Sequence, residues 1–218
     1  MNKNQLVISR YDENLDWLIK WKEQFDIVVY NKGKILNNNE FKYIEIPNYG
    51  REAYTYLYHI VNEYDNLYEN TIFLQGKISD IGVNVYQDLM QYIIEIQKNG
   101  FSARNIGFRD ETLWNDIDFL ADPKYKPQVE NGFLKISDIK FKHYVEKYLG
   151  KIPSFTPVSY CGCFGVRKDF ILARKKDFYE NLLISFPKYH TPEEAHFLER
   201  MWAYIFTEYK WKYSITYV

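Results

Sequence analysis

Four short runs of consecutive apolar residues, each stopped by a polar cluster, constrain this chain more than any other feature. Leu6-Val7-Ile8 ends in Ser9-Arg10-Tyr11-Asp12-Glu13, and Ile27-Val28-Val29-Tyr30 breaks at Asn31-Lys32-Gly33. Tyr43-Ile44-Glu45-Ile46 is stopped by Pro47-Asn48, and Thr71-Ile72-Phe73-Leu74 ends at Gln75-Gly76. A continuous apolar run with little alternation belongs to a strand covered on both faces. Helix-period stretches lie between the runs. Leu15, Leu18, Ile19 and Lys22 follow Asn14, a capping residue. Arg51 to Tyr64 carries Tyr54, Leu57, Tyr58 and Val61 on one stripe, and Val85 to Lys98 runs up to Asn99-Gly100. This alternation predicts an α/β fold of three layers, αβα, around a mostly parallel sheet. Right-handed crossovers place the strands' carboxyl ends on one edge, where open α/β sheets bind ligands. The four polar clusters are therefore expected to converge on one crevice, as in a nucleotide-binding domain.

The second half is less regular. Arg104 to Lys151 mixes Pro, Asn, Asp and aromatics, and is expected to cover the crevice or form its acceptor side. Tyr160 to Val166 reads as a strand whose glycines, 162 and 165, mark close backbone approach. Asp169 opens a helical stretch through Leu183. Thr191-Pro192-Glu193-Glu194 reads as a capping box opening a helix to about Glu208, with Leu198, Trp202, Ile205 and Tyr209 facing inward. No linker or repeat divides the chain, so residues 1–218 are read as one domain, with a nucleotide-binding half (1–100) and an acceptor-side half (101–218).

Several function classes drop out. Lys+Arg 28 against Asp+Glu 29 leaves a net charge of -1, which supplies no bulk attraction for nucleic acid. No window reaches the roughly 18 apolar residues of a membrane span, and the first apolar run is too short for a signal-peptide core. Cys161 and Cys163 have no partner pair, so reduced thiols and a cytoplasmic location are expected. Phosphate-loop, dinucleotide and nucleophile-elbow motifs are absent. Aromatics reach 19% of the chain, 21 of them tyrosines. Lys, Asn and Ile are abundant too, as codon bias in AT-rich genomes gives, so this alone names no ligand.

Two stretches carry candidate chemistry. In Asn48-Tyr49-Gly50-Arg51-Glu52, Gly50 permits a tight turn into a helix whose first N–H groups and Arg51 suit a phosphate. Equally, Arg51 and Glu52 read as the start of a solvated helix face. Glu199 lies about 60° from the centre of the Leu198-Trp202-Ile205 stripe. A carboxylate there is either paired structurally or raised in pKa for proton transfer. Arg200 points away, and His196, further round, reads as a surface residue.

Ile8-Ser9-Arg10-Tyr11-Asp12-Glu13-Asn14-Leu15-Asp16-Trp17-Leu18, Tyr30-Asn31-Lys32-Gly33, Pro47-Asn48 with Gly50-Arg51-Glu52, and Thr71 to Gly76 resemble a largely uncharacterised family of fungal and bacterial proteins. Cys163-Phe164-Gly165-Val166 and Leu198-Glu199-Arg200 with Trp202, Ile205 and Phe206 resemble its C-terminal half, so the likeness covers most of the chain. The family looks like a compact relative of GT-A glycosyltransferases. The resemblance implies a transferase moving a sugar from a nucleotide-sugar donor to a glycan or lipid-linked acceptor. Arg10, Tyr11, Asn31, Arg51, Gln75 and Gly76 would form the donor site, and Glu199 would be the base or an acceptor-binding carboxylate. The alternative is a non-catalytic glycan- or protein-binding module on the same fold. GT-A enzymes usually hold Mn or Mg on an Asp-x-Asp after a central strand, but that place here is Gln75-Gly76. Asp116-Ile117-Asp118 is the weak metal candidate, for thirteen aspartates supply about 0.8 such triplets by chance. A turn or helix cap explains it as well, so weak or absent metal dependence is expected.

Overall fold

The computed structural model describes residues 3–35, 40–77, 89–103, 106–160 and 162–208. In chain order the elements are β1 (Asn4–Arg10), β2 (Asp26–Asn31), β3 (Lys42–Glu45), α1 (Arg51–Glu63), β4 (Asn70–Gln75), α2 (Leu89–Asn99) and β5 (Phe101–Ala103). There follow β6 (Gly107–Asp110), α3 (Lys126–Glu130), α4 (Phe141–Leu149), β7 (Phe155–Val158), β8 (Phe164–Arg167), α5 (Lys168–Ile171), α6 (Lys176–Ile184) and α7 (Glu193–Thr207). A six-stranded sheet runs β3-β2-β1-β4-β8-β5, and β6 pairs with β7 in a separate ribbon. β3, β2, β1 and β4 are mutually parallel, whereas β8 runs antiparallel to both of its neighbours.

Strand pleating divides the apolar residues between two cores. Val7, Val28 and Phe73 point to one face, under α1, α4, α6 and α7. Leu6, Ile8, Val29, Ile72 and Leu74 point to the other, under α2 and the 3-10 turn Asp16–Trp21. Both faces are covered, which is why these strands are apolar throughout. Each such side chain, fully buried, contributes roughly 1.5–3 kcal/mol. Gly165 is required because a Cβ there would lie 2.2 Å from Ile96 Cδ1, so α2 rests directly on the β8 backbone. Gly162 is packed less tightly: a Cβ would meet Gln75 Nε2 and Glu52 Oε1 at 3.0 Å.

Several expectations are corrected. The stretch after Asn14 forms a 3-10 rather than an α-helix, although Asn14 does accept from the Asp16 N–H at 2.7 Å. The 160–166 strand is shorter, Phe164–Arg167, and reversed. The helical stretch 169–183 is broken between α5 and α6, where buried Arg174 donates to Ile205 O at 2.9 Å. No capping box opens α7: Pro192 occupies the cap position, Thr191 Oγ1 pairs with His190 Nδ1, and Glu194 accepts from Ser137 Oγ. Leu198, Trp202 and Ile205 are buried as expected. Cys161, Tyr209 and the start of the helix expected at Val85 lie outside the described residues.

Candidate functional site

The parallel strands deliver their carboxyl ends to one edge, and the strand order reverses between β1 and β4. Residues following these strands line a cleft of about 500 Å³ together with Phe133, His190 and Thr191 from the second half. The loops are held by their own side chains. Buried Arg10 donates from Nε to Glu13 O at 3.0 Å, and from Nη1 to Tyr11 O, Asn31 Oδ1 and Lys34 O. Glu13 Oε2 accepts from the Tyr11 N–H at 2.7 Å. At Gly33 a Cβ would fall 1.8 Å from Tyr11 O, so the two loops cross at backbone contact. At Gly76 it would meet the Glu13 carboxylate at 2.8 Å.

Five of the expected donor residues thus fall into two groups. Tyr11, Gln75 and Arg51 line the cleft, as does Arg10, though much of its guanidinium is spent on loop carbonyls. Asn31 is corrected: it is 2% exposed and is not among the lining residues. Its amide is engaged by Arg10 and by Gly33 O and Lys34 O. Gly76, the sixth, is buried behind Glu13 and builds the wall rather than presenting a group.

The α1 entrance differs from the open anion site read in the sequence. Gly50 has φ 58° and Arg51, not a glycine, has φ 49°. Two successive left-handed residues are costly for the arginine. The turn persists because the Gly50 and Arg51 N–H groups donate to Tyr189 O and His190 O at 2.9 and 3.1 Å. Lys32 Nζ donates to Tyr49 O at 2.7 Å and to Arg51 O. Two of the expected N–H groups are therefore already used.

Beside this turn stands α7. Glu199 is a quarter exposed, and its Oε2 lies 3.8 Å from His196 Nδ1. The Glu52 carboxylate foremost, and Glu199 with it, raise the Arg51 pKa despite burial. Arg200 donates to Leu113 O and Asn115 O. His196 is not a surface residue. It is buried against Phe119 and Tyr125, and burial, reinforced by Arg51 and other cations, lowers its pKa to about 3.

Asp116 and Asp118 serve as caps. Asp116 accepts from the Phe141 N–H at 2.8 Å and pairs with Lys140 at 3.1 Å, and Asp118 accepts from the Ala121 N–H. Burial works to raise the Asp116 pKa, but these partners bring it below the ordinary carboxylate value. Neither lines the cleft, and the described residues contain no group of three or more His, Cys, Asp or Glu suited to a metal. Glu13 and Glu52 are the carboxylates among the cleft's described lining residues.

The cleft's charge is uneven. Arg10, Lys32, Arg51 and Lys77 face only Glu13 and Glu52 among its lining residues. Lys32 belongs to the Asn31-Lys32-Gly33 cluster expected at the crevice, whereas Lys77, three residues past Leu74, carried no signal of its own. Phe133 and His190, whose rings lie 4.9 Å apart, gave no signal, because only the tertiary fold brings them here.

The chain belongs to a family described as "Protein of unknown function (DUF3431)", which matches residues 6–215. No curated protein matches it. Among solved structures it is similar to "CMP:2-keto-3-deoxy-manno-octonic acid synthetase complexed with CTP", at 11% identity, over 83% of this chain and 78% of that one, with a TM-score of 0.38. A likeness that distant carries no argument about chemistry. Among the described residues no helix is long and apolar enough to cross a membrane.

Proposed function

For this member of a family without an assigned activity, we propose a glycosyltransferase-like role: transfer of a sugar from a nucleotide-sugar donor to a glycan or lipid-linked acceptor. One observation carries the reading. At the reversal of strand order, a cleft able to hold a small ligand is lined by four cationic side chains and two carboxylates. A nucleotide-sugar diphosphate is dianionic, and its leaving group needs positive charge in the transition state. Arg51 and Lys77 supply that charge, while Ser9, Tyr11 and Gln75 offer hydrogen bonds for the nucleoside. Glu199 is not among the cleft's lining residues, but it interacts electrostatically with Arg51 at the rim and is the candidate base for the acceptor hydroxyl. The exposed, stacked Phe108 and Phe155 on the β6–β7 ribbon favour the second reading, a glycan- or protein-binding module.

Thermal-shift titration with a panel of nucleotide sugars tests the proposal. A specific donor at 100 times its Kd should stabilise the fold by about 2.7 kcal/mol, and the Arg51→Met variant should lose the effect. Failure of every nucleotide sugar to stabilise the protein would leave the binding module as the better account.

A further inference from the structure

The Gly50–Arg51 turn is held from two sides. From the second half, the carbonyl oxygens of Tyr189 and His190 accept its N–H groups. From the β2 loop, Lys32 reaches across to the carbonyl oxygens of Tyr49 and Arg51, using two of its three ammonium donors. Its ammonium also lies 5.6 Å from the centre of the Tyr54 ring. A Cβ at Gly50 would lie 2.5 Å from Phe186 Cδ1, so no larger residue fits there. Without an anchor on its carbonyl side, a non-glycine residue at φ 49° would relax toward the ordinary helical region and carry its side chain with it.

We infer that Lys32 is a positioning residue: its ammonium, bonded to the Tyr49 and Arg51 carbonyls, fixes the left-handed turn and so the direction in which Arg51 enters the cleft. This rests on reading the cleft as a diphosphate site. Occupancy of the site is then coupled to a proton. Burial, with Arg51 adding to it and Glu52 opposing it, lowers the Lys32 pKa to about 7. The other charged and titratable groups of the cleft are Arg10, Tyr11, Glu13, Lys77 and His190. An arriving dianion adds favourable charge beside the ammonium and raises its pKa, so binding takes up a proton. Above pH 7 the free protein holds Lys32 increasingly neutral. Affinity should therefore fall as pH rises, by up to about tenfold per unit.

Calorimetry with inorganic pyrophosphate at fixed ionic strength from pH 6 to 9 tests this. Pyrophosphate gains negative charge over that range, so its own titration works against the expected fall. Wild type should bind most tightly near pH 6 and weaken steadily above 7, with proton uptake visible in buffers of different ionisation heat. Lys32→Met should bind at least tenfold more weakly at pH 6 and show a flattened profile. In the Arg51→Met background, adding Lys32→Met should cost clearly less than it does in wild type, because only the through-space charge effect of the ammonium is left once the arginine it positions is gone. Additive losses would mean that Lys32 touches the anion directly and would overturn the positioning role. A wild-type affinity that holds or rises with pH would overturn it without any variant. If wild type binds no pyrophosphate at any pH, the diphosphate reading itself fails. Tight binding indifferent to Lys32 defeats only the present inference.

Discussion

The sheet has a cleft at each edge, of nearly equal size and opposite character. The carboxyl-edge cleft measures about 500 Å³, and its four cations outnumber two carboxylates. The amino-edge cleft, about 470 Å³, is lined by Gln5, Asp26 and Lys42 from the strand starts, with Lys22, Glu40 and Glu63 around them. There each lysine has a carboxylate partner, Lys22 with Glu40 at 3.3 Å and Lys42 with Glu63 at 3.6 Å. Volume does not separate the two. The sign of the excess charge does. Basic side chains outnumber carboxylates at the carboxyl edge, whereas at the amino edge Asp26, Glu40 and Glu63 outnumber the two lysines, so only the first suits an anion.

The contrast breaks most visibly at Glu199. If it is the base of the carboxyl edge, Glu199→Gln should lower turnover by roughly 10²-fold or more, with donor affinity and Tm nearly unchanged. A stability loss of about 1–3 kcal/mol instead would make it a structural partner of Arg51. Next comes donor binding itself. Arg51→Met should weaken nucleotide-sugar affinity by about 10–100-fold, whereas Lys42→Met on the amino edge should change it less than about twofold. Equal effects would erase the distinction between the edges.

A smaller effect concerns the buried histidines. Burial, with Lys42 adding to it, lowers the His59 pKa to about 3, and burial together with Arg51, Arg200 and Lys124 does the same for His196. Between pH 6.5 and 3 the unfolded chain binds protons that the folded chain refuses. Stability is thus complete above pH 6.5 and falls on acidification, by up to about 1.4 kcal/mol per pH unit for each histidine. Denaturant titrations of His59→Phe and His196→Phe should each show a shallower acid slope than wild type. The smallest effect belongs to the amino-edge ion pairs. Lys22→Met should alter stability by less than about 1 kcal/mol, since the pair is about half exposed.

What could be read from the sequence follows the same divide. Strands β1, β2 and β4 were legible because burial on both faces leaves an unbroken apolar signature. Arg10, Arg51 and Gln75 were legible as cleft residues because parallel topology dictates where strand ends go. Asn31 was misread because its neighbour Arg10 captures the amide, a pairing that spans 21 positions. The start of α7 was misread for a similar reason: Glu194 finds Ser137, 57 residues away, instead of its own helix terminus. His196 is buried by rings of an irregular segment that carries no periodic signal. The direction of β8 had no local marker either, as strand sense is set by what the chain does between strands.

That reversed strand has a consequence for biosynthesis. β8 lies between β4 and β5, although β5 leaves the ribosome some sixty residues earlier. When β5 emerges its sheet partner does not yet exist, and the outer edge of β4 stays unpaired until residues 164–167 are made. Such long-range closure slows folding and exposes strand edges meanwhile. The cleft also waits for His190 and Thr191, whose carbonyl groups flank the start of α7. A ribosome-stalling series should accordingly give a protease-resistant chain with an intact cleft only after α7 has cleared the exit tunnel, and shorter chains should remain protease-sensitive.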